Sequence, residues 1–158
     1  MRLLFLDVDG VLNSTEVLNT SLRFPVPVGE RHLRLLNTLV TQTGCQIVLS
    51  STWRLSPEYR TGLRAAFRHH GIPEWIGTTP DLRTGRRADE ILRWIRSHVT
   101  VPAVAVGIDD AEDIDIGNDH GLPVMFKTLV TDPDSGLTAD VVQEAVDWFV
   151  RHTSNFVR

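Results

Sequence analysis

The sequence predicts an α/β fold built on a doubly wound, mostly parallel sheet, and three observations carry that expectation. Apolar runs of strand length alternate along the chain with longer segments of helical periodicity. The runs Leu3-Leu4-Phe5-Leu6, Gln46-Ile47-Val48-Leu49 and Ala103-Val104-Ala105-Val106-Gly107-Ile108 hold almost no polar residue, as strands covered on both faces must. Each run then breaks into functional groups: Asp7 and Asp9 after the first, Ser50 and Ser51 after the second, Asp109 and Asp110 after the third. Parallel strands deliver their carboxyl ends to one edge, so these groups are expected to meet.

After the first strand, a period of two sends Asp7 and Asp9 to the same side, and Gly10 permits a sharp turn out of the sheet. Like charges this close repel, and a divalent cation held by carboxylate and carbonyl oxygens is the simplest compensation. Residues 13–29, with Pro25 and Pro27, read as a loop or short flap over the end of that strand. Leu33, Leu36, Leu39 and Val40 mark one face of a helix over residues 30–43, closed by Gly44. A second helix starts where Ser56 caps and Pro57 takes the first helical position, and it runs to about residue 70. Residues 75–80 read as a short strand or strand-like connection. Ala88, Ile91, Leu92 and Ile95 place a third helix over about residues 85–98, beginning beside Arg86 and Arg87. Residues 124–127 form the last strand. Thr138 then caps a closing helix that turns Val141, Val142, Ala145, Trp148 and Phe149 inward.

The length, 158 residues, fits one domain over 1–158 with a single core and no span long enough for a separate cap domain. Sixteen basic against twenty acidic residues leave a net charge of −4, so no global positive field draws the protein to nucleic acid or membrane, although a local basic patch stays open. Cys45 has no partner for a disulfide and reads as a buried thiol, which fits a reducing compartment. The first residues lack the pattern of a signal peptide and no apolar run approaches a membrane span, so a cytoplasmic location is expected. His69 and His70 diverge on a helix and read as surface residues, while Trp94, Trp148 and Phe149 read as core.

The segment LFLDVDGVLN resembles the first motif of the haloacid dehalogenase (HAD) superfamily, whose members are mostly Mg²⁺-dependent phosphohydrolases. The resemblance implies Asp7 as a nucleophile that forms an aspartyl-phosphate and Asp9 as general acid/base. QIVLSSTWR resembles the second motif and places its hydroxyl at Ser50, with Ser51 one register away. Arg54 reads either as a fork for a phosphate or as a guanidinium packed on Trp53. TGRRADEIL occupies the place of the third motif. The family's frequent Lys is absent there, and the cation is expected at Arg87 first and Arg86 second. A basic helix start opposes the helix dipole, so these charges serve something outside the helix. VAVGIDDAED resembles the fourth motif, which implies Asp110 as a direct magnesium ligand and Asp109 as the second metal-site or orienting acid. Capping of the next turn explains one aspartate there but not two. Asp113 is a candidate for a water-mediated contact, and Asp115 and Asp119 decorate the following turn. Magnesium takes only one or two carboxylates and keeps several waters, which suits Asp7, Asp110 and the backbone carbonyl of Asp9.

Together with IDD and TDPDSGLT, these segments resemble the small HAD domain associated with Swiss Army Knife RNA repair proteins. The resemblance implies an open site whose partner is a phosphorylated small molecule or a nucleic-acid end. The acidic net charge argues against tight nucleic-acid binding. A binding or regulatory module that keeps the fold without turnover is the competing reading, and the missing third-motif Lys keeps it open. Oligomeric state is not legible from the residues.

Overall fold

The computed structural model describes residues 1–19 and 26–153. In chain order the elements are β1 (Arg2–Leu6), α1 (Thr15–Asn19), α2 (Glu30–Thr43), β2 (Gln46–Leu49), α3 (Pro57–His69), β3 (Gly77–Thr78), α4 (Arg87–His98), β4 (Ala103–Asp109), β5 (Val124–Val130) and α5 (Ala139–Thr153). Short 3-10 turns cover Thr52–Leu55 and Glu112–Ile114. The strands form one five-stranded sheet in the order β3-β2-β1-β4-β5, and every pairing is parallel. From β1 the chain first winds outward through β2 and β3, then returns to the other side of β1 for β4 and β5. The order therefore reverses between β1 and β4, where open α/β sheets leave a crevice at their carboxyl ends.

Side-chain alternation along β1 divides the core into two layers. Leu4 and Leu6 pack with Leu33, Leu36 and Leu39 of α2, Leu63 and Phe67 of α3, and Val142, Ala145 and Phe149 of α5. Leu3 and Phe5 pack on the opposite side with Ile91, Trp94 and Ile95 of α4 and with Phe126 of β5. Burial on both faces is why these strands carry no polar alternation.

The helix ends follow the expected chemistry. Ser56 accepts a hydrogen bond from the Tyr59 N–H with Pro57 behind it, Gly44 closes α2 in the left-handed conformation, and the Thr138 hydroxyl accepts from the Val141 N–H. Cys45 is buried. Two readings need correction. The 13–29 stretch is not loop throughout, because α1 lies within it and Val26 and Val28 are buried; residues 20–25 fall outside the described part. The last strand extends to Val130, three residues beyond its expected end at Lys127, because Lys127 and Thr128 keep the ladder with β4. Val141 and Trp148 are half-buried and pack against the core as expected, and the Trp148 indole N–H donates to the Ala105 carbonyl at 3.2 Å. No helix among the described residues is long and apolar enough to cross a membrane.

Candidate active site

The ladder hydrogen bonds continue past the strand ends and carry the polar residues to one edge. The Asp7 N–H donates to Ile108 O at 3.0 Å, Ser50 N–H to Leu6 O at 3.0 Å, Thr79 N–H to Leu49 O at 3.1 Å, and Thr131 N–H to Asp109 O at 2.8 Å. Asp7 thus follows β1 and Asp109 ends β4, on either side of the crevice.

Asp7, Asp109 and Asp110 each offer a carboxylate oxygen, and these oxygens lie within 4.8 Å of one another. Asp7 and Asp109 are buried, whereas Asp110 is partly exposed. Arg87, the first residue of α4, spans the two buried acids. Its Nη1 stands 2.8 Å from Asp7 Oδ1 and 2.9 Å from Asp109 Oδ2. Both Asp7 oxygens, Asp109 Oδ2 and Arg87 Nη1 nevertheless lack a hydrogen bond of good geometry. Buried polar atoms are rarely left so, and a cluster of them in hard oxygen donors fits a small divalent cation. Asp7, Asp109 and Asp110 are the residues that could hold such an ion.

The electrostatics agree with that cradle. Burial pushes Asp7 above the usual carboxylate range, while the Arg87 charge, the Val8 backbone and the Ser51 hydroxyl pull it down. Asp109 is pushed up to about 8 by burial and then by the charge of Asp7, with Arg87 opposing. Burial would lower the Arg87 pKa, but the two acids outweigh it and hold the guanidinium charged. One cation against three acids leaves the site short of positive charge.

Close backbone approach makes the cluster possible. Gly10 has φ +71°, and a Cβ there would lie 2.6 Å from the Cβ and Oδ2 of Asp110. Only glycine lets the turn after β1 pass so near the turn after β4. The Thr131 hydroxyl fastens the same turn by donating to Gly10 O at 2.7 Å.

Asp9 lies in the turn after Leu6, and its exposed carboxylate stands outside the three-acid cluster. Asn13 donates its side-chain amide to Asp9 Oδ1 at 2.9 Å, and the Trp53 indole N–H donates to Oδ2 at 3.1 Å. Asn13 is held in turn by the Gly10 N–H, which donates to its Oδ1 at 2.9 Å.

Of the two serines, Ser51 adjoins Asp7, and its Oγ also accepts from the Trp53 N–H at 3.2 Å. Ser50, the first choice in register, keeps a buried hydroxyl without a partner, as does Thr79. Arg54, expected as a phosphate contact, is 5% exposed and fully committed. It donates to the carbonyls of Thr79, Ser50, Ser51 and Pro80 and to Glu90 Oε2 at 2.8 Å. A guanidinium has five N–H donors, and five contacts leave none for a phosphate. Arg54 instead ties the end of β2 to α4 through Glu90, three residues after Arg87 and therefore on its side of the helix.

Arg86 is exposed and Arg87 is the residue that reaches the acids. Asp113 contributes charge that favours protonated Arg87. Asp115 Oδ1 accepts from the Gly117 N–H and the Thr128 hydroxyl, each at 3.0 Å, so it stitches the loop to β5, and Asp119 is exposed. His69 is exposed and His70 half-buried, on α3 and the residue after it. Sequence reasoning missed Asn13, Glu90 and Thr131. The first two had a signal, Asn13 lying four residues after Asp9 and Glu90 one turn after Arg87; Thr131 had none.

A family model described as the HAD domain in Swiss Army Knife RNA repair proteins matches residues 3–142. No curated protein and no solved structure matches the chain. The match runs from β1 into α5 and takes in all four site segments, the parallel sheet is the one this fold requires, and the chain belongs to the family of HAD domains found in Swiss Army Knife RNA repair proteins.

Proposed function

We propose that the protein is a Mg²⁺-dependent phosphohydrolase acting on a phosphomonoester through an aspartyl-phosphate on Asp7, with nucleotide or nucleic-acid ends as its substrates. The observation that carries the reading is the buried Asp7 carboxylate, without good hydrogen bonds, beside Asp109, Asp110 and the Arg87 guanidinium. Phosphate esters repel anionic nucleophiles, so attack by a carboxylate needs positive charge around it. Asp7, Asp109 and Asp110 would hold Mg²⁺, which would supply positive charge beside that of Arg87.

In the first step an Asp7 oxygen bonds to phosphorus, the bond from phosphorus to the leaving oxygen breaks, and that oxygen takes a proton from Asp9. In the second, Asp9 takes a proton from water, the water oxygen bonds to phosphorus, and the bond to Asp7 breaks to release phosphate. Asn13 and Trp53 position Asp9 for this work by donating to its two carboxylate oxygens. Ser51 keeps Asp7 oriented, and Arg54 with Glu90 braces α4 so that Arg87 stays opposite the nucleophile.

A screen of nucleotides, sugar phosphates and 3′- or 5′-phosphorylated oligonucleotides tests the proposal, run with and without magnesium and beside Asp7→Asn. Phosphate release that needs magnesium and vanishes in the variant is expected. Release undiminished in Asp7→Asn overturns the role of Asp7. The anchoring of Asp9 away from the cluster favours one alternative, a phosphate-binding module without turnover. Metal binding with no release across the panel would support it.

A further inference from the structure

Beside the carboxylate cluster lies an open pocket of about 410 Å³, lined in part by Leu55, Asp81, Arg83, Arg86, Arg87 and Asp113. Arg87 belongs to both places, so a phosphoryl group held at Asp7 would have this pocket as its neighbour. The volume is within the usual range for pockets that take an organic ligand and exceeds what one phosphoryl group fills. Leu55 is 53% exposed there and offers an apolar wall.

A charge inventory of the lining says what the ligand carries. Arg54 and Glu90, also in the lining, cancel in their buried ion pair. Arg87 is matched by Asp7 and Asp109, and Asp113 acts on Arg87 as well. Arg83 stands 3.9 Å from Asp81 with 90% of its side chain exposed, a contact too open to hold it. Arg86 has no acidic partner among the described residues, and its backbone N–H donates to the Thr84 hydroxyl. The backbone between them, with φ 55° at Arg83 and 74° at Gly85, carries both arginines on one exposed loop ahead of α4. An uncompensated guanidinium near a second exposed one, on the rim of an organic-sized pocket, is a receptor for an anion.

We infer that this pocket receives a second anionic group of the substrate, a phosphate or phosphodiester carried by the leaving group, on Arg86 with Arg83 beside it. The inference rests on Asp7 being the phosphoryl acceptor, and it narrows the substrate class from any phosphomonoester to one with two phosphate charges. It also reconciles a net charge of −4 with a polyanionic ligand, because the attraction is local.

The test compares adenosine 3′,5′-bisphosphate with adenosine 5′-phosphate and adenosine 3′-phosphate. In magnesium, kcat/KM for the bisphosphate should exceed that for either monophosphate by about tenfold, as one charge-assisted contact implies, and the gain should lie in KM. Arg86→Gln should remove most of that ratio, and Arg83→Gln a smaller part. Calorimetric titration of Asp7→Asn with the same three nucleotides reads the preference without turnover, and adding Arg86→Gln should remove most of it. Turnover of p-nitrophenyl phosphate with no bisphosphate preference, or a preference unchanged in Arg86→Gln, overturns the subsite and leaves the phosphatase intact. A bisphosphate preference in binding with no phosphate released from any substrate overturns the phosphatase and leaves the subsite standing.

Discussion

Replacing Arg87 by Met should destabilise the metal-free protein by about 3 kcal/mol near neutral pH, and the structure shows where that figure comes from. Arg87 Nη1 is 2.8 Å from Asp7 and 2.9 Å from Asp109, and the arginine side chain is 22% exposed. Charges about 4 Å apart attract by about 4 kcal/mol at an effective dielectric near 20. Removing a buried partner costs about 3–5 kcal/mol, because the remaining charge is left uncompensated. Protonation relieves part of this, since Asp109 already titrates at about 8, so the lower end applies. For a chain of this length the loss corresponds to about 10 °C in Tm. Magnesium at about a hundredfold its dissociation constant should return about 2.7 kcal/mol, by binding only the folded state. At about pH 5 Asp109 is neutral and Asp7, pushed up by burial, holds less charge than at neutral pH, so the loss should shrink. Urea unfolding of wild type and Arg87→Met, in chelator and in magnesium at both pH values, measures all four numbers. An equal loss at both pH values with no recovery in magnesium would refute the reasoning, because Arg87 would then be acting through packing alone.

Three further outcomes follow. Trp53→Phe keeps the stack on Tyr59, whose ring centroid is 4.6 Å away, but loses the indole N–H that holds Asp9. It should lower kcat about tenfold on an alkyl phosphate and less on p-nitrophenyl phosphate, whose leaving group needs no acid; equal losses would contradict a positioning role. Gly10→Ala meets Asp110 at 2.6 Å in a left-handed backbone, so it should cost about 1–2 kcal/mol and shrink the magnesium-dependent rise in Tm. A full magnesium response would show that the turn yields without moving Asp110. The metal-free protein should also lose stability as pH rises from about 5 to about 8. Asp109 titrates at about 8 when folded and near 4 when unfolded, so across that window the native state holds the extra proton and ∂ΔG/∂pH is negative. Asp109→Asn should flatten that part of the slope, and an unchanged slope would exclude the group as its source.

The fold was legible because burial on both faces leaves a plain mark. Leu3 to Leu6 and Ala103 to Ile108 could be read as central strands from their lack of polar residues, and the polar residues after them located the edge where the site lies. Helix limits at Gly44, Ser56 and Thr138 were readable because capping is local chemistry. Arg87 could be preferred over Arg86 but not settled, since one residue of helical rotation decides which of them reaches Asp7. The fate of Arg54 was hidden. Its partners Thr79, Pro80 and Glu90 lie 25 to 36 residues away, and only the packing of β3 and α4 against the end of β2 brings them together. The partners of Asp9 were hidden as well, because it lies in the turn beyond Leu6 and Trp53 reaches it from 44 residues away.

The central claim is that Asp7 carries the phosphoryl group between substrate and water. Acid-quenching the protein during turnover in magnesium, then mapping the modified peptide by mass spectrometry, tests it most directly. One phosphoryl group on the peptide containing Asp7, lost on mild alkaline treatment and absent without magnesium, is the predicted result. A phosphoryl group on any other residue, or steady turnover with none trapped while Asp7→Asn remains active, would contradict the account.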